Sequence, residues 1–287
     1  MSADDYRERH YTTFDGLRLF FRDWGDPLSG EAAVLCLPGL TRNSKDFDRL
    51  ARHLSRDRRV VAPDLRGRGR SAYARDWRSY APPVYLEDLR HLLASLGLGH
   101  AVVVGTSMGG LLGMALAVVL PGAIKGLVIN DVGPEVNQPG SKRILAYVST
   151  DRPQPDWSSA AAHLRQLLPT LSLKSDEDWL DFARHTFREG EDGLLHFDWD
   201  VDLAKQIAAG RGGAEDKDLW RLWRAVRRIP TLAIRGGVSD ILSEATFARM
   251  KAEKPDLEQV TVPGVGHAPT LDEPECREAI DEFFRRR

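Results

Sequence analysis

Apolar residues along this 287-residue chain follow two rhythms. Short apolar or alternating runs occur at 10–14, 17–24, 33–37, 59–62, 101–105 and 126–130, and runs of that length and composition predict β-strands. Asp15-Gly16, between the first two, is a strong hairpin dipeptide. Between the later runs the spacing becomes helical. Phe47, Leu50, Ala51 and Leu54 lie on one helix face over 44–55. Leu86, Leu89, Leu93 and Leu96 do the same in a segment that opens on Pro83 and stops at Gly97. Strands alternating with helices predict right-handed crossovers and an α/β fold, a mostly parallel sheet covered by helices on both faces.

The rhythm changes after Asp131. Residues 135–229 carry helical patterns without a convincing strand, and hold Trp157, Trp179, Trp199, Trp220 and Trp223 of the chain's 7 tryptophans. Strand and helix then resume, at 231–235, 243–254, 258–262 and 274–284. The pattern predicts a core of 1–134 and 230–287 interrupted by a helical cap at 135–229, its tryptophans more in the cap's interior than on a substrate wall. The longest apolar stretch, 111–124, is broken by Gly113, Pro121 and Gly122. It is shorter than the ~20 residues of a membrane span and reads as a buried helix. The opening Met1-Ser2-Ala3-Asp4-Asp5-Tyr6-Arg7 has no apolar core of the secretory kind.

Composition narrows the picture modestly. Hydrophobic residues at 42% and charged residues at 29% exclude a disordered chain. Lys+Arg at 40 against Asp+Glu at 42 leaves a net charge of −2, no footprint for nucleic acid or an anionic membrane. Cys36 and Cys276 both fall in apolar-periodic segments. They are expected to be buried reduced thiols, which favours a cytoplasmic setting.

The chemistry begins at Val102-Val103-Val104-Gly105-Thr106-Ser107-Met108-Gly109-Gly110, a β run and a G-x-S-x-G turn followed by an apolar helix. The pentapeptide alone is common, but its setting is specific. A serine on a sharp strand-to-helix turn demands tiny neighbours two positions either way, and Gly105 and Gly109 meet that demand. The helix start also brings N–H groups and a positive dipole end beside the serine oxygen. On these residues the chain resembles the α/β-hydrolase superfamily, of the type with a helical cap after the sixth strand. The resemblance covers 10–134 and 230–287. It implies eight strands and a catalytic triad in the chain order Ser, acid, His.

Of eight histidines, His267 sits in a Gly- and Pro-rich loop, Val262-Pro263-Gly264-Val265-Gly266-His267-Ala268-Pro269, like the family's histidine loop after its last strand. A neutral imidazole there can take the Ser107 proton. Two aspartates qualify as the acid that holds the imidazole. Asp240 follows the strand at 231–235 and matches the family's usual site, so the resemblance assigns it the role. Asp131, after the strand at 126–130, matches a site used by a minority of relatives; otherwise it closes a turn into the cap. Leu35-Cys36-Leu37-Pro38-Gly39-Leu40 resembles the oxyanion loop, with Pro38 in place of the usual histidine. By position, Leu40 and Met108 supply the two oxyanion N–H groups, a main-chain role that side-chain change leaves intact. Asp64-Leu65-Arg66-Gly67-Arg68-Gly69-Arg70-Ser71 resembles a family turn rather than a phosphate cradle, since no P-loop lysine follows.

The expected activity is hydrolysis of a small or medium carboxylic ester or lactone through an acyl-enzyme on Ser107, with no cofactor and no metal, because no His/Cys/carboxylate group has ligand spacing. Other relatives bound this expectation. Haloalkane dehalogenases and epoxide hydrolases carry aspartate where Ser107 stands. Carbon–carbon hydrolases of ring-cleavage pathways share the triad, yet many have Asn and Trp where this chain has Thr106 and Ala268. Cofactor-free haloperoxidases share it too, and a binding protein that keeps the fold without turnover is an alternative of another class.

Overall fold

A computed structural model describes residues 6–209 and 216–286; the first five residues of the N-terminal reading and 210–215 of the predicted cap lie outside them. The strands are β1 (Arg7–Thr12), β2 (Arg18–Trp24), β3 (Ala33–Leu37), β4 (Val60–Pro63), β5 (Ala101–Thr106), β6 (Ile124–Asn130), β7 (Phe187–Glu189), β8 (Leu195–Phe197), β9 (Thr231–Gly236) and β10 (Glu258–Val262). The helices are α1 (Asp48–Leu54), α2 (Pro82–Ser95), α3 (Met108–Val119), α4 (Gln138–Val148), α5 (Trp157–Leu167), α6 (Asp176–Thr186), α7 (Leu203–Ala208), α8 (Asp216–Ala225), α9 (Glu244–Glu253) and α10 (Pro274–Arg285). Eight strands form one sheet in the order β1-β2-β4-β3-β5-β6-β9-β10. β1 and β2 run antiparallel to their neighbours and the rest are parallel.

The apolar runs of the central strands are continuous because both faces of a parallel sheet are covered. Leu35, Leu37, Val103, Leu127 and Ile129 belong to one core cluster with Leu89 and Leu93 of α2 and Leu112 and Leu116 of α3. Their alternates Val34, Cys36, Val102, Val104 and Val128 belong to a second, with Leu50 and Leu54 of α1 and Ile280 and Phe283 of α10. Cys36 and Cys276 are buried free thiols. Among the described residues no helix is long and apolar enough to cross a membrane.

Three local expectations are revised. β1 begins earlier and is more polar than its apolar pattern suggested, because Arg7 and Arg9 donate to the buried Asp23 at 3.0 and 3.3 Å. The segment 44–55 splits into a 3-10 turn at Ser44–Phe47 and then α1. Between β6 and β9, alongside α4 to α8, stands the β7–β8 hairpin. Its strands have three residues each, too few for periodicity to register, and are held by stacking of Phe187 on Phe197 and of Phe197 on Trp199 at 4.8 and 4.0 Å.

The Asp64–Ser71 turn is structural. Arg66 is fully buried, forked onto Asp88 at 2.7 and 2.6 Å and reaching Asp15 at 2.8 Å. Arg68, equally buried, donates from Nε to the Leu40 carbonyl at 2.7 Å and from Nη1 to the Tyr85 hydroxyl at 2.8 Å. One arginine therefore ties the turn to the loop after β3.

Candidate active site

The loops at the C-terminal ends of β3, β5, β6, β9 and β10 converge. Ser107 sits between β5 and α3 with φ 53° and ψ −119°, a left-handed conformation that costs a non-glycine residue energy unless its surroundings impose it. The constraint is visible at its neighbours. A Cβ on Gly105 would lie 2.4 Å from the Gly109 carbonyl oxygen, and one on Gly109 would lie 2.0 Å from the Leu37 carbonyl oxygen. No side chain larger than hydrogen fits either place.

His267 Nε2 lies 2.9 Å from Ser107 Oγ. Its Nδ1 lies 2.7 Å from Asp131 Oδ2. An ionised carboxylate only accepts, so Nδ1 carries the proton and Nε2 is free to accept from the serine hydroxyl. Asp131 is fully buried and has φ 54°, a conformation aspartate tolerates better than most residues. Its charge is met by three donors: His267 Nδ1, the Gly236 amide at 2.8 Å onto Oδ1, and the Ser239 hydroxyl at 2.7 Å onto Oδ2.

The carboxylate hydrogen-bonded to His267 is that of Asp131, not that of Asp240, to which the resemblance assigned the role. Asp240 makes no hydrogen bond to His267; its carboxylate is forked by Arg143 of α4 at 2.7 and 2.9 Å. Those hydrogen bonds hold the Asp240 carboxyl below its ordinary value, against a smaller opposing effect of burial. Asp240 is 40% exposed against 0% for Asp131, and a carboxylate forked by arginine and reached by water holds no orientation for the imidazole.

Leu40 follows Gly39 in the loop after β3, and Met108 opens α3 directly after Ser107. The loop carrying Leu40 approaches the serine closely, since a Cβ on Gly39 would lie 3.8 Å from Ser107 Cβ. Asn130, just before Asp131 and fully buried, donates through Nδ2 to Thr106 Oγ1 at 3.1 Å and to the Pro269 carbonyl at 2.8 Å, tying the serine strand to the histidine loop.

A cavity of about 320 Å³ opens over Ser107 and His267. Leu40, Ile144, Tyr147, Leu171, Leu173 and Phe182 form much of its apolar wall. None of the five tryptophans of 135–229 is among its lining residues. Trp179, Trp199, Trp220 and Trp223 are instead buried in the hydrophobic core. Several of the charges facing the cavity are paired. Arg42 forks onto Asp46 at 2.7 and 2.5 Å, donates to Thr186 Oγ1 at 2.6 Å and lies over the Phe182 ring at 4.2 Å. Burial pushes the Asp46 carboxyl upward, but Arg42 outweighs it and holds that carboxyl far below its usual range. Arg49 meets Asp178 at 3.0 Å and Asp272 at 3.5 Å. Among the described residues no group of three or more His, Cys, Asp or Glu could hold a metal ion.

Sequence reasoning named Ser107, His267 and, as the second acid, Asp131. It missed Ser239, Asn130 and Arg68, whose partners are 108, 139 and 28 positions away. For Asp131 a signal existed: the strand it ends is hydrogen-bonded directly to the serine strand.

The chain belongs to the α/β-hydrolase family, whose model matches residues 34–277. It is 35% identical to the 3-hydroxybutyrate-oligomer hydrolase of Cupriavidus necator over 93% of this chain and 92% of that one. It is 38% identical to lipase LipV of Mycobacterium tuberculosis over 78% of this chain and 84% of that one. The crystal structure of an α/β hydrolase from Novosphingobium aromaticivorans superposes with a TM-score of 0.92 at 44% identity, covering 98% of this chain and 99% of that one. Several curated relatives are named hydrolases, esterases or lipases, so hydrolysis of a small-molecule substrate is the activity class they support.

Proposed function

We propose that the protein is a serine hydrolase of small or medium, uncharged carboxylic esters, with Ser107 as nucleophile, His267 as general base and Asp131, rather than Asp240, as the acid that orients it. The observation that carries this reading is the unbroken chain Asp131 Oδ2–His267–Ser107 Oγ, at 2.7 and 2.9 Å, on the wall of a largely apolar cavity.

In this reading Ser107 Oγ attacks the ester carbonyl carbon as its proton passes to His267 Nε2. The developing imidazolium stays paired with Asp131. The carbonyl oxygen becomes an oxyanion held by the Leu40 and Met108 amides, each such donor being worth ~3 kcal/mol in the transition state. His267 then gives the proton to the departing alkoxide, leaving an acyl-enzyme. A water molecule, deprotonated by His267, attacks that ester carbon, and collapse returns the proton to Ser107 and releases the acid. A lactone follows the same course with its alcohol still tethered. The segment 135–229 serves as the cap that supplies Tyr147 and Phe182 to the acyl wall. Because its wall over Ser107 is largely apolar and Arg42 and Arg49 are paired with aspartates, the cavity favours a neutral acyl group, and the relative acting on 3-hydroxybutyrate oligomers directs attention to esters of short hydroxyalkanoic acids.

The test combines labelling with turnover. A fluorophosphonate probe is expected to label the wild type and not Ser107→Ala, while wild type hydrolyses p-nitrophenyl esters of two to eight acyl carbons and 3-hydroxybutyrate dimers or trimers. Equal labelling of both proteins, or labelling without turnover of any ester or lactone, would overturn the reading, the second result in favour of a binding protein.

A further inference from the structure

We propose that Ser239 is a positioning residue that sets the charge balance of the Asp131–His267 pair and thereby the pH at which the site becomes active. The proposal rests on the triad reading above. Ser239 lies in the β9–α9 loop, one residue before Asp240, and its hydroxyl donates to Asp131 Oδ2 at 2.7 Å, the same oxygen that accepts from His267 Nδ1. The direction of that donation is fixed. The amides of Ile241 and Leu242 donate to Ser239 Oγ at 3.1 and 3.2 Å, so both lone pairs are engaged and the hydroxyl proton is left to point at the carboxylate. A turn bond from the Ser239 amide to the Gly236 carbonyl at 3.0 Å holds the residue in place, and the Gly236 amide occupies the other carboxylate oxygen. The loop that matches the usual acid site thus anchors an acid supplied by β6.

A donated hydrogen bond stabilises the carboxylate and draws charge from Oδ2. Without it, the charge facing Nδ1 grows, the imidazolium is better held, and His267 keeps its extra proton to higher pH. The surrounding charges have partners of their own. Asp240, whose charge also acts on His267 through space, pairs with Arg143, and Arg42 pairs with Asp46, near which His185 Nδ1 lies at 3.7 Å. Asp272, on the histidine's own loop, is met by Arg277 and Arg49. Arg235 of β9 spends its N–H groups on the Leu242 and Gly237 carbonyls. Ser239 is the neutral donor placed on the oxygen that His267 uses.

The experiment compares wild type, Ser239→Ala, Ser239→Cys and Ser239→Thr. Two quantities are read: the acid limb of kcat/KM for a neutral ester, and the NMR titration of the His267 imidazole, assigned by the signals that vanish in His267→Ala. Ser239→Ala is expected to move both midpoints upward by ~0.5–1 pH unit while KM changes by less than about twofold, as loss of one hydrogen bond to a charged group implies. Ser239→Cys, with its weaker S–H donor, is expected to shift them less and in the same direction, which keeps the test alive should the alanine variant not fold. Ser239→Thr, which retains the hydroxyl, is expected to return both to the wild-type position. Unmoved midpoints in folded Ser239→Ala or Ser239→Cys, or a shift that threonine does not reverse, would overturn the proposal. The titration needs no substrate. A failure of ester hydrolysis therefore strikes the functional reading, whereas hydrolysis with an unmoved titration strikes Ser239 alone.

Discussion

Two loops at the same edge of the sheet each present an aspartate after a buried parallel strand, and the two carboxylates have opposite fates. Asp131 leaves β6 in a left-handed conformation, is wholly buried, and receives an imidazole, an amide and a hydroxyl. Asp240 leaves β9 four residues beyond the strand, is 40% exposed and meets a guanidinium. Burial makes the difference. A buried carboxylate is tolerable only when each oxygen is satisfied by fixed donors, and those donors fix its orientation. A half-exposed ion pair is held loosely and screened by salt. Residue type and topology leave the two aspartates alike; the donor set tells them apart.

The most damaging test of this contrast is Asp131→Asn. It is expected to leave the fold intact by circular dichroism and to lower kcat by as much as ~10⁴, because the amide favours the wrong imidazole tautomer. Asp240→Asn should cost no more than about threefold in kcat/KM, the scale of one exposed ion pair. The double variant should match Asp131→Asn alone. If Asp240→Asn is the more damaging and both variants are folded, the acid role moves to β9. The smallest effect concerns stability. Asp240→Asn is expected to lower the unfolding free energy by ~0.2–1 kcal/mol in dilute buffer, with most of the difference gone at 1 M salt. The sign with pH follows from the lowered Asp240 carboxyl, held down by Arg143. A group whose folded value is depressed contributes fully above its unfolded value of ~3.9 and loses that contribution as pH falls through the folded one. The two proteins should therefore converge in acid, which denaturant titrations at neutral pH and at pH 3 will check.

Legibility tracked locality. The stripe at Leu86, Leu89 and Leu93 marked a helix because its spacing matches a single turn geometry, Leu50 and Leu54 marked α1, and the runs at 33–37 and 101–105 marked strands buried on both faces. The β7–β8 hairpin escaped because three residues cannot display a period. The tryptophans of 135–229 were expected more in the interior than on a substrate wall, and Trp179, Trp199, Trp220 and Trp223 are buried there, while the cavity takes its aromatic rings from Phe47, Tyr147 and Phe182. Which face of α4 or α6 meets the cleft depends on how those helices dock, and composition is silent on docking.

By itself the sequence determined the α/β alternation, the serine on its glycine-flanked turn and the histidine in its Gly- and Pro-rich loop, because each rests on steric demands met within a few residues. Gly105 is readable since a Cβ there would strike the carbonyl oxygen of Gly109, four positions on, at 2.4 Å. Tertiary structure alone decided which aspartate meets His267, that Ser239 shares its oxygen, that Arg143 occupies Asp240, and which side chains wall the cavity. Those outcomes depend on hydrogen bonds between residues about a hundred or more positions apart in most cases, as with Asp131–Ser239 and Asp131–His267. Such bonds form only once the sheet has set the distance and burial has removed the competing water.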